Sequence, residues 1–151
     1  MNLFFTSRCP IQAAIDHCDV HTRKMIVETA QMLSTAHRVL DGQMHVVKSP
    51  KGRNKKIYIL SDDRESVLYS ATHINHPSAK WIRESKAHYD WAYKLFANLI
   101  EQYRIHTGKC HKSSSLLSIL KSSPTNIPDL GWVCDPHIAI NFNDYPALKE
   151  F

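Results

Sequence analysis

The stretch from Asp16 to Arg38, DHCDVHTRKMIVETAQMLSTAHR, constrains the fold more than any other part of the sequence. At about 100° per residue, a helix here places one mainly apolar set on a single face, namely Ile26, Ala30, Leu33, His37 and Leu40. Such a face is stable only when it is buried against another element. The pattern therefore predicts a long core helix that ends at Asp41 and Gly42.

The other side of this helix carries a polar stripe, which spans an arc of about 80° and consists of His21, Lys24, Glu28, Gln31 and Thr35. His17 joins the stripe if the helix runs back through Cys18. If Asp19 instead caps the helix, Asp19 is structural and His17 lies outside the stripe.

The polar stripe has two interpretations. In the first, the stripe is an ordinary solvated helix face that carries one ion pair, between Lys24 and Glu28 at i, i+4 spacing. A functional site would combine an amine nucleophile with a carboxylate that accepts a proton or stabilises a cation. Histidine is a weaker helix former than Glu, Lys or Gln, and Met25 and Met32 flank the stripe. Both details favour a site at the edge of the core.

Composition limits the class of protein. A chain of 151 residues with 43% hydrophobic residues suits one domain over residues 1–151, and only 4 glycines favour helices. The formal charge of +5 fits a polyanionic partner such as DNA. The cysteines form no C-x-x-C pair, and MNLFF is too short for a signal sequence. We expect an intracellular protein with no membrane partner; its oligomeric state stays open.

The periodicity predicts five further elements, which are an extended segment at residues 1–6, a short helix over 11–18, a β-hairpin over 43–60, a second long helix from Ser78 to His106, and a short helix over 113–120. Ser78 is the expected cap of the second long helix, and Gly108 ends it. The tail from residue 124 is expected to wrap the helices, with a turn at Pro146. The predicted fold is mainly α, a compact helical single domain with two long helices and a small β-hairpin insertion.

The tip of the predicted hairpin is strongly basic. Five cations lie within nine residues, namely Lys48, Lys51, Arg53, Lys55 and Lys56. A soluble loop would explain such a charge, but the net charge of the chain also favours contact with DNA phosphates. We therefore predict that Lys51, Arg53 and Lys55 bind the substrate.

Two histidines, His73 and His76, precede the second long helix. A helix N-terminus binds phosphate readily, and protonated histidines would add donors. The alternative is a loop whose polar side chains satisfy local backbone groups. Together with His17, Asp19 and His21 these histidines also suggest a metal, but no H-E-x-x-H or equivalent signature completes a ligand set. We expect neither a metal nor another cofactor.

Several motifs resemble a set of short, mostly uncharacterised phage proteins. These proteins begin with Met-Asn-aliphatic-Phe and carry a core similar to HCDVH and ETAQMLSTAH, and the later pieces NHPSAKW, GKCH and NIPD look similar too. The likeness covers most of the chain. It implies action in the cytoplasm of the infected host cell.

A second resemblance is to the pyrimidine-dimer DNA glycosylases of the phage endonuclease V type. These small, basic, mostly helical proteins carry Asp-x-His and then a catalytic Glu seven residues after the His, as do Asp19, His21 and Glu28 here; their later histidine resembles His76. The resemblance implies that an amine attacks the sugar C1′, that Glu28 assists, and that a lyase step nicks the strand. In the family the amine is that of an N-terminal threonine; this chain has Asn2, and Val27 replaces the arginine before the Glu.

These observations lead to a functional prediction with two alternatives. The predicted catalytic residues are Glu28, His21 and Lys24, with either the N-terminal amine or Lys24 as nucleophile. The predicted substrate-binding residues are His17, Asp19, Gln31, His73, His76, Lys51, Arg53 and Lys55. The expected activity is DNA glycosylase and AP-lyase-like base excision. The alternatives are a non-catalytic DNA- or protein-binding module of the same fold and a metal-dependent nucleotide hydrolase.

Overall fold

A computed structural model describes residues 3–17 and 19–136, with only the backbone at residues 19 and 20. The described elements are α1 (Pro10–Ile15), α2 (Asp19–Asp41), β1 (Gln43–Lys48), β2 (Asn54–Ile59), α3 (Arg64–Val67), α4 (Pro77–Glu84), α5 (Lys86–Thr107), a 3-10 helix (Lys112–Leu116) and α6 (Leu117–Leu120). The mainly helical class and the small hairpin are therefore confirmed.

The core forms where α2 packs against α5, while α1 packs on α5 and α4 on α2. The predicted apolar face of α2 is buried, since Ile26, Ala30 and Leu33 are all fully buried. Met25 and Met32, which flank the polar stripe, are also buried. From α5 the core receives mainly large side chains, namely Tyr89, Leu95, Phe96 and Leu99. Contacts between these side chains and the apolar face of α2 form the centre of the core.

The predicted second helix is interrupted at Ser85. The structure has α4 up to Glu84 and α5 from Lys86, and Ser85 between them is extended, with φ −150° and ψ 148°. Ser85 is buried, and its Oγ donates to the Gly131 carbonyl at 2.7 Å and accepts from the Leu130 amide at 3.3 Å. The prediction of one helix over residues 78–106 was therefore wrong, because a distant segment breaks it.

The first helix is shorter than predicted, and the start of α2 decides between the two alternatives for His17. The first helix stops at Ile15 rather than residue 18, and α2 begins at Asp19, so that His17 is not part of α2. The expected C-terminal stop of α2 is confirmed, because it ends at Asp41. A Cβ on Gly42 would meet the Arg38 carbonyl oxygen and lie 3.1 Å from that of Ile59, so the chain needs glycine there.

The hairpin is antiparallel and stands largely in solvent. Its register pairs Met44 with Tyr58 and Val47 with Lys55, and every residue of β1 is exposed. The buried Arg38 of α2 anchors its base, donating to the Tyr58 carbonyl at 3.0 Å and the Tyr69 carbonyl at 2.7 Å. A two-stranded hairpin is marginal alone, so this anchor keeps it on the body.

The segment after residue 124 crosses α4 and α5 without regular structure, as predicted for the described part of the tail. Trp132 packs edge-on to Trp81, with ring centroids 5.3 Å apart, and Phe5 of the N-terminal segment contacts Trp132 at 6.0 Å. Leu3 is buried as well. The predicted turn at Pro146 lies outside the described residues.

A buried polar chain runs from α2 to α6. Arg64 Nη1 donates to His37 Nδ1 at 2.9 Å, so the proton of His37 sits on Nε2 and is donated to the Tyr89 hydroxyl at 2.7 Å. Tyr89 in turn donates to the Leu120 carbonyl at 2.7 Å. Burial, with the nearby Arg64 charge, lowers the pKa of His37 from 6.5 to about 4. The folded protein therefore holds a neutral His37.

This chain predicts a pH dependence of stability. Because His37 binds its proton more weakly in the folded than in the unfolded state, its contribution is complete above pH 6.5 and is lost as the pH falls towards 4. The loss should reach about 3 kcal/mol of unfolding free energy. Denaturant titrations between pH 4 and 7 measure it. His37→Gln has no titrating ring, so its free energy of unfolding should depend less on pH than that of the wild type. An unchanged pH dependence would assign the effect to other histidines.

Candidate functional site

An open cleft of about 550 Å³ lies along the polar stripe of α2. We call it the α2 cleft; its lining residues are Arg23, Lys24, Val27, Glu28, Gln31 and His111. Three predicted site residues, Lys24, Glu28 and Gln31, therefore line one concave surface. They lie together because residues three and four apart share a face of a helix.

The Lys24–Glu28 pair is asymmetric. Lys24 Nζ lies 3.7 Å from Glu28 Oε1, and the side chain of Lys24 is 72% exposed whereas that of Glu28 is 16% exposed. The ammonium group of Lys24 is exposed to water, unlike the buried lysines that serve as nucleophiles. Activation of this amine has to come from Glu28 or from a substrate that closes over the cleft.

His76 lies beside Glu28 and caps α4. The Ser78 amide donates to His76 Nδ1 at 3.1 Å, which makes His76 the cap in place of the predicted Ser78. Pro77 occupies the first helical turn and forces this arrangement. Burial lowers the pKa of His76, and the charge of Glu28 opposes that shift. Since Nδ1 is an acceptor, the neutral ring carries its proton on Nε2.

His111 and Arg23 also line the cleft, and the sequence analysis assigned no role to either. The Ser113 amide donates to His111 Nδ1 at 3.0 Å, so this histidine caps the 3-10 helix. Burial, followed by the charge of Arg23, lowers the pKa of His111. The motif His-x-Ser occurs at 76–78 and again at 111–113. In both copies the histidine caps the helix that follows.

His17, between α1 and α2, and His21, in the first turn of α2, lie outside the α2 cleft and pack on one aromatic ring. Phe4 stacks on His21 with centroids 5.5 Å apart and meets His17 edge-on at 5.6 Å. His17 Nδ1 donates to the Ala13 carbonyl at 2.6 Å, and burial lowers its pKa. Asp19 is the first residue of α2. The ring contacts give both histidines a packing role.

The loop before α4 is hydrogen-bonded to Thr35, the C-terminal residue of the polar stripe. Thr35 is fully buried, and its Oγ accepts from the Thr72 amide at 3.2 Å. It therefore does not lie on an open face, unlike the rest of the stripe. His73 follows in a left-handed conformation with φ 48°, exposed, and its Nδ1 lies 2.8 Å from Thr72 Oγ1. The N-terminus of α4 is occupied by its own His76 cap.

The basic hairpin tip is a separate surface. Lys51, Arg53 and Lys55 are all exposed, and no carboxylate occurs between Asp41 and Asp62. The helix α2 rises about 20 Å between Glu28 and the start of the hairpin. The structure therefore does not bring the predicted substrate-binding residues into one pocket. The hairpin follows the C-terminal end of α2, whereas the α2 cleft lies nearer its N-terminal end.

Two features that the described residues lack bear on the possible classes of function. Among residues 3–17 and 19–136, no three His, Cys, Asp or Glu side chains are grouped to hold a metal ion. None of the described helices is long and apolar enough to cross a membrane. Cys9, Cys110 and Cys134 are exposed free thiols.

Comparison with known proteins found no matching family model, no similar curated protein and no similar solved structure.

Proposed function

We propose that this protein acts on DNA by base excision, as a glycosylase with an associated lyase step. The observation that carries the proposal is the Lys24–Glu28 pair at 3.7 Å in the α2 cleft, with the charge of Glu28 also acting on His76. An amine and a half-buried carboxylate are the two groups that such chemistry needs.

The reaction assigns one role to each group. The uncharged Lys24 amine attacks C1′ of the deoxyribose, and the base leaves with the electrons of its glycosidic bond and takes up a proton. Glu28 accepts the proton that Lys24 loses and stabilises positive charge at the sugar. Ring opening then gives an iminium ion, and the proton that Glu28 accepted goes to the ring oxygen. Loss of a C2′ proton expels the 3′ phosphate and nicks the strand.

DNA as the partner is supported by the basic hairpin tip. Five cations without an intervening carboxylate attract a polyanion, and each phosphate contact releases counterions. A damaged base has to leave the helix stack before a side chain reaches C1′, and an open cleft of about 550 Å³ has room for a sugar and its base. From the resemblance to phage proteins, we infer that the activity belongs to the cytoplasm of an infected host cell.

Borohydride trapping on ultraviolet-treated DNA tests the nucleophile. Wild-type protein should form a covalent protein–DNA adduct, because borohydride reduces the iminium ion to a stable amine. Lys24→Arg keeps the charge but removes the primary amine, so the adduct should fall below about 1% of wild type. Lys94→Arg, an exposed lysine outside the cleft, should trap normally. Undiminished trapping by Lys24→Arg would assign the attack to another amine.

A non-catalytic DNA-binding module is the second candidate. The observation in its favour is the 72% exposure of the Lys24 side chain, since a hydrated ammonium group binds phosphate well but attacks carbon poorly. This candidate predicts DNA binding without an adduct or a nick. The metal-dependent hydrolase has no support among the described side chains, which offer no ligand cluster.

A further inference from the structure

His111 is held in one tautomer with its second nitrogen available. The cap occupies Nδ1, which accepts from the Ser113 amide, so the neutral ring carries a proton on Nε2. The ring of Tyr103 meets His111 edge-on with centroids 5.2 Å apart and fixes its plane. Since His111 lines the α2 cleft, its Nε2–H is a hydrogen-bond donor with a preset direction.

The charges around this donor are unbalanced. Arg23 has no ion-pair partner among the described residues, and Lys24 shares one carboxylate, that of Glu28. The α2 cleft therefore holds two cations and one anion, together with the amide of Gln31. Such a surface favours an additional anion. Arginine presents several N–H groups at once and suits the oxygens of a phosphate.

We propose that the α2 cleft is a phosphate seat in which Arg23, Lys24 and the Nε2–H of His111 hold an anionic oxygen of a phosphodiester. The inference rests on the proposed function, because it names the part of the DNA that this site grips. In the site, Lys24 contributes its positive charge while it is protonated. Arg23 and His111 act by positioning the strand and not by reacting with it.

Direct binding to small probes tests the seat independently of catalysis. The probes are inorganic phosphate, a thymidine dinucleotide with a normal phosphodiester, and the same dinucleotide with an uncharged methylphosphonate linkage. Calorimetry and the NMR signals of the His111 ring measure binding. We expect the phosphodiester to bind at least about tenfold more tightly than the methylphosphonate, the loss that one hydrogen bond to a charged group predicts. Equal binding of the two dinucleotides would overturn the proposal.

Two variants separate the seat from the fold. In His111→Asn the asparagine still caps the 3-10 helix, but its shorter side chain no longer reaches into the cleft, so affinity for the phosphodiester should fall about tenfold with little change in Tm. Arg23→Gln, at an exposed position, should weaken binding similarly. Lys94→Gln removes one charge outside the cleft and should bind like wild type. Wild-type affinity in both cleft variants would refute the seat.

The outcomes distinguish this inference from the proposed function. Phosphodiester binding that depends on Arg23 and His111, without any borohydride adduct, would support the seat and contradict the enzyme. An adduct with no selective phosphodiester binding would support the enzyme and contradict the seat. Binding of inorganic phosphate alone would overturn DNA as the source of the phosphate group.

Discussion

Glu28→Gln is expected to reduce strand nicking on ultraviolet-treated DNA by about 100-fold or more. The amide neither accepts the proton from Lys24 nor stabilises positive charge at the sugar. The melting temperature should hardly move, because Glu28 lies at the edge of the core and its ion pair with Lys24 is worth at most about 0.5 kcal/mol of unfolding free energy. Binding to DNA should also persist, because the cations of the hairpin remain.

Melting, DNA binding and nicking have to be measured on the same preparations. Glu101→Gln is the matched control, because Glu101 is an exposed carboxylate paired with Arg104 on α5, outside the α2 cleft. Normal binding with lost nicking only in Glu28→Gln supports catalysis. Identical behaviour of the two variants in all three assays would rule out the catalytic assignment, and a large fall in melting temperature would make Glu28 a structural residue.

Neutralising the hairpin should weaken DNA binding and flatten its salt dependence. The triple variant Lys51→Gln, Arg53→Gln and Lys55→Gln removes three exposed cations. The slope of log affinity against log salt should fall by up to about 0.9 for each lost phosphate contact, or about 2.7 for three. The turn should survive, because it is closed by backbone groups, including the Gly52 amide that donates to the Ser49 carbonyl at 2.8 Å.

The matched control for this variant removes three exposed lysines outside the hairpin, namely Lys94, Lys109 and Lys121. Because net charge falls equally, any difference in slope measures local contact rather than long-range attraction. Fluorescence anisotropy from low to moderate salt gives both slopes. Equal slopes for the two triple variants would remove the hairpin from the DNA interface.

Periodicity and turn chemistry predicted most of the helix and hairpin positions. The apolar face through Ile26, Ala30 and Leu33 fixes which side of α2 is buried, because a single helix pattern determines it. The helical pattern does not predict that Thr35 is buried, since its burial depends on the loop at Thr72 docking against α2. A side chain on a polar stripe is buried or exposed according to what another element covers.

The candidate site was predicted in part for a similar reason. Lys24, Glu28 and Gln31 were expected on one face because all three belong to α2. His111 reaches the cleft from a segment at least eighty residues later in the sequence, and spacing along one helix does not reveal such a neighbour. The repeated His-x-Ser cap was the available sign that His76 and His111 are set in the same way.

The order of folding follows from how Ser85 is held. Helical contacts between near neighbours form in about 0.1–1 μs, whereas the hydrogen bond from Ser85 to Gly131 joins residues 46 apart in the chain. The bond from His88 Nδ1 to the Trp81 carbonyl at 2.9 Å also spans the break, whereas the side chain of Ser85 finds its own partners only when the segment around Gly131 docks. We therefore expect the extended conformation of Ser85 to become fixed late in folding, after the segment that binds it has docked.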